Sequence, residues 1–295
     1  MSNVVLQVLE RDLPDLPAQM SEVIAELKDP NLIDLPVLIT KISQCGNLSE
    51  IVLRMVNSGY LRHGRKADDL EEAVILVGME AVRHTILGVV LYSMFSKRQV
   101  LENFNRMNFL RHCLGTALAA RMLSTEAGLD EQLDSYKLIT YGLLHDIGIV
   151  ALDRAMPITL NRILKMAAEE NMPILEAEVR VLGKLTHSMI GEWVCGKWNL
   201  PQDIRNVVQY HHAPRKAKLN RPEVALMHIA DVISFNYYES LTESVHKYAL
   251  DMELLRSLGL NMGQIAQVEE ALPERVERAM RALDFDALES LSLCC

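Results

Sequence analysis

Seven side chains in this sequence have the chemistry of metal ligands and stand in a particular order. They are His112, the pair His145-Asp146, His187, the pair His211-His212, and Asp231. Imidazole nitrogens and carboxylate oxygens suit divalent Fe, Mn, Ni or Zn, and seven donors are enough for one or two such ions. The surroundings make them stand out. His145-Asp146 ends the run Tyr141-Gly-Leu-Leu and precedes Ile147-Gly148, where an ionised Asp costs several kcal/mol unless paired or bound to a cation. His211 continues the apolar face of Ile204, Val207 and Val208, and Pro214 stops that helix just after His212. Asp231 interrupts the apolar run Ala225-Leu-Met-His-Ile-Ala-Asp-Val-Ile, where a cation is an economical partner.

Each residue alone has a plainer explanation. His145-Asp146 could be a capping pair at a helix end. His112 and His211 could be hydrogen-bonded core histidines, and His187 a surface hydrogen-bonding residue. Asp231 could pair with His228 one turn earlier. The ordered set favours one shared pocket.

Helices must position these residues. The spacing i, i+3, i+4, i+7 recurs almost throughout: Met20, Val23, Ile24 and Leu27; Leu38, Ile39 and Ile42 after a cap at Asp34; Leu48, Ile51, Val52, Met55 and Val56 after a cap at Asn47. Asp69 opens a further helix that Gly78 closes, and residues 80–96 form a deeply buried one. A polar break from Lys97 to Asn108 separates a first lobe from a second. There Leu110, Leu114, Ala117 and Leu118 mark the helix that carries His112. Further helices fit about 132–145, 158–170, 174–197, 202–212 and 222–239, with acidic helices to about 290 expected to pack as a C-terminal hairpin. Alternating strands are not in evidence, so the expected fold is all-α.

Composition narrows the function. Hydrophobic residues make up 49% of the chain but aromatics only 5%, a helix-favouring balance. A formal net charge of −9 argues against general nucleic-acid or anionic-membrane binding. The five cysteines, at 45, 113, 195, 294 and 295, form no CxxC pair and point to reduced thiols and a cytoplasmic setting. The N-terminal residues lack a basic n-region, and the longest apolar stretch, Thr85 to Phe95, is too short to cross a bilayer. No membrane association is expected.

Seven motifs stand in order along the chain: Leu-Pro-Asp-Leu-Pro at 13–17, Leu-Arg-Met-Val-Asn-Ser at 53–58, the segment 70–79, Tyr-Gly-Leu-Leu-His-Asp-Ile-Gly at 141–148, Thr-His-Ser-Met-Ile-Gly-Glu-Trp at 186–193, Trp-Asn-Leu-Pro at 198–201 and His-His-Ala-Pro at 211–214. Together they resemble the HDOD family, the HD-related output domain of bacterial signalling proteins. The resemblance runs from about Leu13 to Pro214. It implies a small N-terminal helical lobe (1–105), an HD-type lobe (106–240) and a C-terminal helical extension (241–295). HDOD proteins are generally non-catalytic output or scaffold modules that act through other signalling proteins, and many have lost the HD ligands. Here the wider HD superfamily pattern matches His112, His145, Asp146 and Asp231 to one ion and His187, His211 and His212 to a second, with Asp146 bridging. The rival implication is a metal-dependent phosphohydrolase with a nucleotide or cyclic dinucleotide as ligand. Two departures oppose it. Active relatives place Lys directly after His-Asp-x-Gly, where this chain has Ile149, and Gly-Tyr-Pro after the paired histidines, where it has Ala213-Pro214-Arg215. Lys184, one turn before His187 if that stretch is helical, is a candidate substitute cation for substrate binding.

Overall fold

The computed structural model describes residues 2–13, 22–23, 34–45, 48–57, 65–79, 82, 86, 101–238 and 247–282. The expected helix at Met20–Leu27, the cap at Asn47 and the buried helix at 80–96 lie wholly or largely outside them. Among the described residues the regular elements are all helical, with a lone bridge between Leu101 and Phe104.

The chain forms two compact units, one of Met1–Pro14 with Phe95–Val276, the other of Asp15–Met94 with Glu277–Cys295. In chain order the helices are α1 (Ser2–Asp12), α2 (Leu35–Ser43), α3 (Leu48–Asn57), α4 (Leu70–Val77), α5 (Arg106–Glu126), α6 (Ser135–Leu144), α7 (Ile147–Ala155), α8 (Pro157–Glu169), α9 (Ile174–Leu182), α10 (His187–Lys197), α11 (Gln202–Tyr210), α12 (Arg221–Tyr238), α13 (Met252–Ser257) and α14 (Met262–Ala282). A 3-10 turn, Pro214–Lys216, lies between α11 and α12.

The smaller unit shows why its sequence is helical. Asp34 accepts from Val37 N at 3.2 Å and Asp69 from Glu72 N at 2.7 Å, so both expected caps form. Gly78 ends α4 at φ 86°, a backbone angle open to glycine. Leu48, Ile51, Val52 and Val56 turn one face of α3 into the core.

The larger unit is built round α5, which packs on α6 and α12. Asn105 caps α5 by accepting from Met107 N and Asn108 N, each at 3.0 Å. α5 is buried on nearly every side over its middle turns, as a helix with neighbours all round must be. α10 packs on α7 and α11, and α1 packs on α7, so the first helix belongs with this unit. Ile265, Val268, Leu272 and Val276 give α14 a completely buried stripe at helical spacing.

Two helical expectations change. Residues 174–197 are not one helix: Gly183, at φ 87°, ends α9, and Thr186 caps a new helix by accepting from Met189 N at 3.5 Å. Lys184 therefore does not sit one helical turn before His187. Residues 147–155, which carried no helical expectation, form α7. Asp146 stands at its N-cap position without making a side-chain cap bond.

Candidate metal centre

All seven expected donors come together inside the larger unit. Asp146 and His145 lie between α6 and α7, His112 on α5, His187 at the start of α10, His211 and His212 just after α11, and Asp231 on α12. His112, His145, His187 and His211 are buried, as are both aspartates, while His212 is partly exposed.

Glycines set the helix crossings that make this possible. A Cβ on Gly142 of α6 would fall 2.3 Å from Ala117 Cα of α5, so the two backbones touch and bring His145 to His112. A Cβ on Gly148 would lie 1.9 Å from the His187 carbonyl oxygen, and one on Gly191 would lie 2.6 Å from Val208 Cγ1. Those contacts draw α7, α10 and α11 together at the point where Asp146, His187 and His211 meet.

The donors form two main groups, linked by Asp146 and also by His212 Nδ1, which lies 3.4 Å from Asp231 Oδ2. In the first, His112 Nε2 lies 3.2 Å from His145 Nε2, 3.6 Å from Asp146 Oδ2 and 3.3 Å from Asp231 Oδ1. His145 Nε2 lies 3.4 Å from Asp146 Oδ2 and 3.7 Å from Asp231 Oδ1. In the second, His187 Nε2 lies 3.2 Å from Asp146 Oδ1, 3.4 Å from His211 Nε2 and 3.0 Å from His212 Nε2. His211 Nε2 is 3.4 Å from the same Asp146 oxygen. Asp146 thus turns one oxygen to each group. Donors about 2.1 Å from a common ion and separated by 90–110° would stand roughly 3.0–3.4 Å apart, close to these spacings.

The outward faces of the rings decide which nitrogens are free to bind. His145 Nδ1 donates to Gly142 O at 2.7 Å, and His211 Nδ1 to Val208 O at 2.9 Å. His187 Nδ1 donates to Glu178 Oε1 at 2.7 Å, while its backbone N donates to Glu178 Oε2 at 3.0 Å. In each ring Nε2 is then the nitrogen that points inward, and it offers its lone pair when the ring is neutral, as a metal ligand must be. Asp146 Oδ1 is buried and accepts no hydrogen bond although two Nε2 atoms lie beside it. An orphaned carboxylate oxygen among inward lone pairs is a place for a cation.

Charge follows the same pattern. Burial raises the Asp146 and Asp231 carboxyls, but the neighbouring histidines outweigh it and hold both well below the ordinary range. Burial alone lowers His145, which Asp146 and Asp231 lift to about 10. His212 goes the other way, pushed well below the usual imidazole value by burial and by His211. The carboxylates draw in positive charge, and the rings compete for it. A proton serves one donor pair, whereas the clusters of Asp146 with His187, His211 and His212, and of Asp146 with His112 and His145, suit metal ions.

Residues outside the expected set also matter. Glu178 is completely buried on α9 and orients His187. Its signal was present in the sequence, because it stands at i+4 from buried Ile174 on the apolar face. His228 does not form the simple pair with Asp231: its Nδ1 donates to His211 O at 2.8 Å. Lys184 is exposed and is not among the residues lining the opening of the site, and Ile149 is completely buried in the core.

A family model, the HDOD domain, matches residues 13–214. The chain belongs to the HDOD domain family. This HDOD chain is 28% identical over 230 residues to an uncharacterized protein of Treponema pallidum (strain Nichols), covering 75% of its own length and 42% of that relative's. Solved structures share the fold. An HDOD domain protein of unknown function from Geobacter sulfurreducens aligns with a TM-score of 0.67 at 21% identity, over 99% of each chain. A protein provisionally described as a phosphohydrolase, from Shewanella amazonensis SB2B, aligns at 0.72 and 17%, over 96% of this chain and 98% of that one. One provisionally described as a signal transduction protein, from Marinobacter aquaeolei VT8, aligns at 0.73 and 17%, over 97% of this chain and 65% of that one. Among the described residues no helix is long and apolar enough to cross a membrane.

Proposed function

We propose that this HDOD protein is a signalling output module that acts by binding other signalling proteins and holds two divalent transition-metal ions in its HD pocket. The first ion would be held by His112, His145, Asp146 and Asp231, the second by Asp146, His187, His211 and His212. The donor set fits Fe, Mn, Ni or Zn. The family resemblance supports the output role.

The observation that carries the choice of module over enzyme is the mouth of the site. It is lined by Ile174, Val232, Phe235 and Tyr248 together with His228 and the donors, and none of these lining residues is Lys or Arg. When bound, two metal ions can polarise a phosphoryl oxygen and lower the pKa of bound water. This chain's own residues orient the donors, but among the described lining residues there is no fixed cation for the leaving oxygen of a phosphodiester. Ile149, where active relatives carry Lys, is core.

The second reading, a metal-dependent phosphohydrolase, draws on the survival of all seven donors at ligand spacing. The test is turnover of linear and cyclic dinucleotides by Mn- and Fe-loaded protein, with Asp146→Ala as control. The output-module reading expects no activity above the control. Robust turnover that vanishes in Asp146→Ala would replace it with the enzyme.

A further inference from the structure

A segment outside the donor set stands across the mouth of the metal centre. Tyr248 N donates to Asn236 Oδ1 at 2.9 Å, and Asn236 Nδ2 donates to Tyr248 O at 2.8 Å. One side chain of α12 thus holds both backbone polar groups of Tyr248. The tyrosine ring meets Phe235 edge to face with centroids 4.9 Å apart, and its hydroxyl accepts from Ile174 N at 3.2 Å. Three residues further on, Arg215 donates to Asp251 at 2.6 and 3.1 Å and to Glu253 at 2.8 Å. Arg215 lies in the 3-10 turn just after the paired histidines, so this strap is fastened both to α12 and to the histidine turn.

What remains beneath Tyr248 is small. The cavity measures about 40 Å³ and reaches Asp146, His187, His212 and Asp231. Since one water needs about 10–15 Å³, the space takes roughly three waters before any ion is bound, so beside bound ions it leaves room for the small, metal-facing end of a ligand and not for a nucleoside. Two divalent ions bring more positive charge than Asp146, Asp231 and Glu178 cancel, so the centre attracts an anion. Among the described residues the wall is apolar at Ile174, Val232, Phe235 and Tyr248, with His228 its one polar side chain outside the donor set, so a nucleoside finds little to hydrogen-bond its sugar and a cavity of this size has no room for its base.

We infer that Tyr248 is a specificity-determining residue, the wall that admits an inorganic oxyanion no larger than phosphate to the metal centre and excludes phosphate esters of nucleosides. This rests on the two-metal reading proposed above. Its ring does the excluding and its hydroxyl only anchors, so Tyr248→Phe and Tyr248→Ala should behave differently.

The test is calorimetric titration of Mn-loaded protein with inorganic phosphate and with AMP, which carry similar phosphate chemistry at different size. Metal content is measured on every sample. The wild type should bind phosphate at least tenfold more tightly than AMP. Tyr248→Phe should keep that preference, and Tyr248→Ala should bind AMP at least tenfold better than the wild type while changing phosphate less than threefold. Equal binding of phosphate and AMP by the metal-loaded wild type would overturn the inference, as would a metal-loaded Tyr248→Ala with unchanged preference. Should Tyr248→Ala fail to fold or to hold metal, the wild-type ratio and Tyr248→Phe decide. A wild type that takes up no metal refutes the metal reading, and this inference with it, by a separate measurement.

Discussion

Replacing Gly148 by Ala should dismantle the second half of the metal centre. The added Cβ would sit 1.9 Å from His187 O and 2.9 Å from Gly191 N, both backbone atoms that cannot rotate away. Reaching even a 3.0 Å contact requires α7 and α10 to part by about 1.1 Å, in a core that is close-packed. Asp146 lies two residues before Gly148, and His187 is the residue struck. Their donor atoms, 3.2 Å apart, would then stand up to about 4.3 Å apart. Two ligands of one ion at about 2.1 Å each can be separated by at most roughly 4.2 Å, and then only in a straight line. Overpacking of this kind costs about 1–3 kcal/mol, or roughly 2–12 °C in Tm for a unit of this size. The assay is metal stoichiometry by elemental analysis with thermal melting on the same sample. The expected result is one metal ion fewer per chain than in the wild type, with a lower Tm. A Gly148→Ala protein with wild-type metal content and Tm would refute the argument that this crossing positions the donors.

Three further outcomes are expected. Glu178→Gln, which removes the charge behind His187, should weaken metal binding by about 10–100-fold in competition with a chelator, and an unchanged affinity would mean Glu178 only packs. Arg106→Met should cost about 3–5 kcal/mol in urea unfolding, because it strands the completely buried Asp153 that Arg106 holds at 2.7 and 2.9 Å. A cost below about 1 kcal/mol there would show that Asp153 finds another partner. Dialysis against a chelator should lower Tm and re-addition of Mn restore it, since a ligand of the folded state alone stabilises it by mass action; a Tm indifferent to both would count against a bound metal.

The sequence disclosed the seven donors because each is a polar residue set in an apolar helical pattern, where burial without a partner is costly. The caps at Asp34 and Asp69 were equally plain, since a capping carboxylate acts within three residues of itself. What was hidden depended on distant partners. α7 escaped notice because Asp146, at its N-cap position, spends its carboxylate on histidines from three other helices and gives no local start signal. The break at Gly183 was masked by apolar residues on both sides that continue the helical spacing. Glu178 was not among the expected residues, although its face points inward. The strap carrying Tyr248 could not be foreseen, because its hold on Asn236 and Arg215 is tertiary.

The seven side chains are proposed to hold two metal ions with Asp146 shared. Diffraction data from crystals of protein purified without added metal, measured on either side of the metal absorption edge, test it directly. Two anomalous peaks are expected, one amid His112, His145, Asp146 and Asp231 and one amid Asp146, His187, His211 and His212, each roughly 2.0–2.3 Å from its donors. A map with no peak among these donors, or with His187 and the His211-His212 pair away from Asp146, would refute the shared centre.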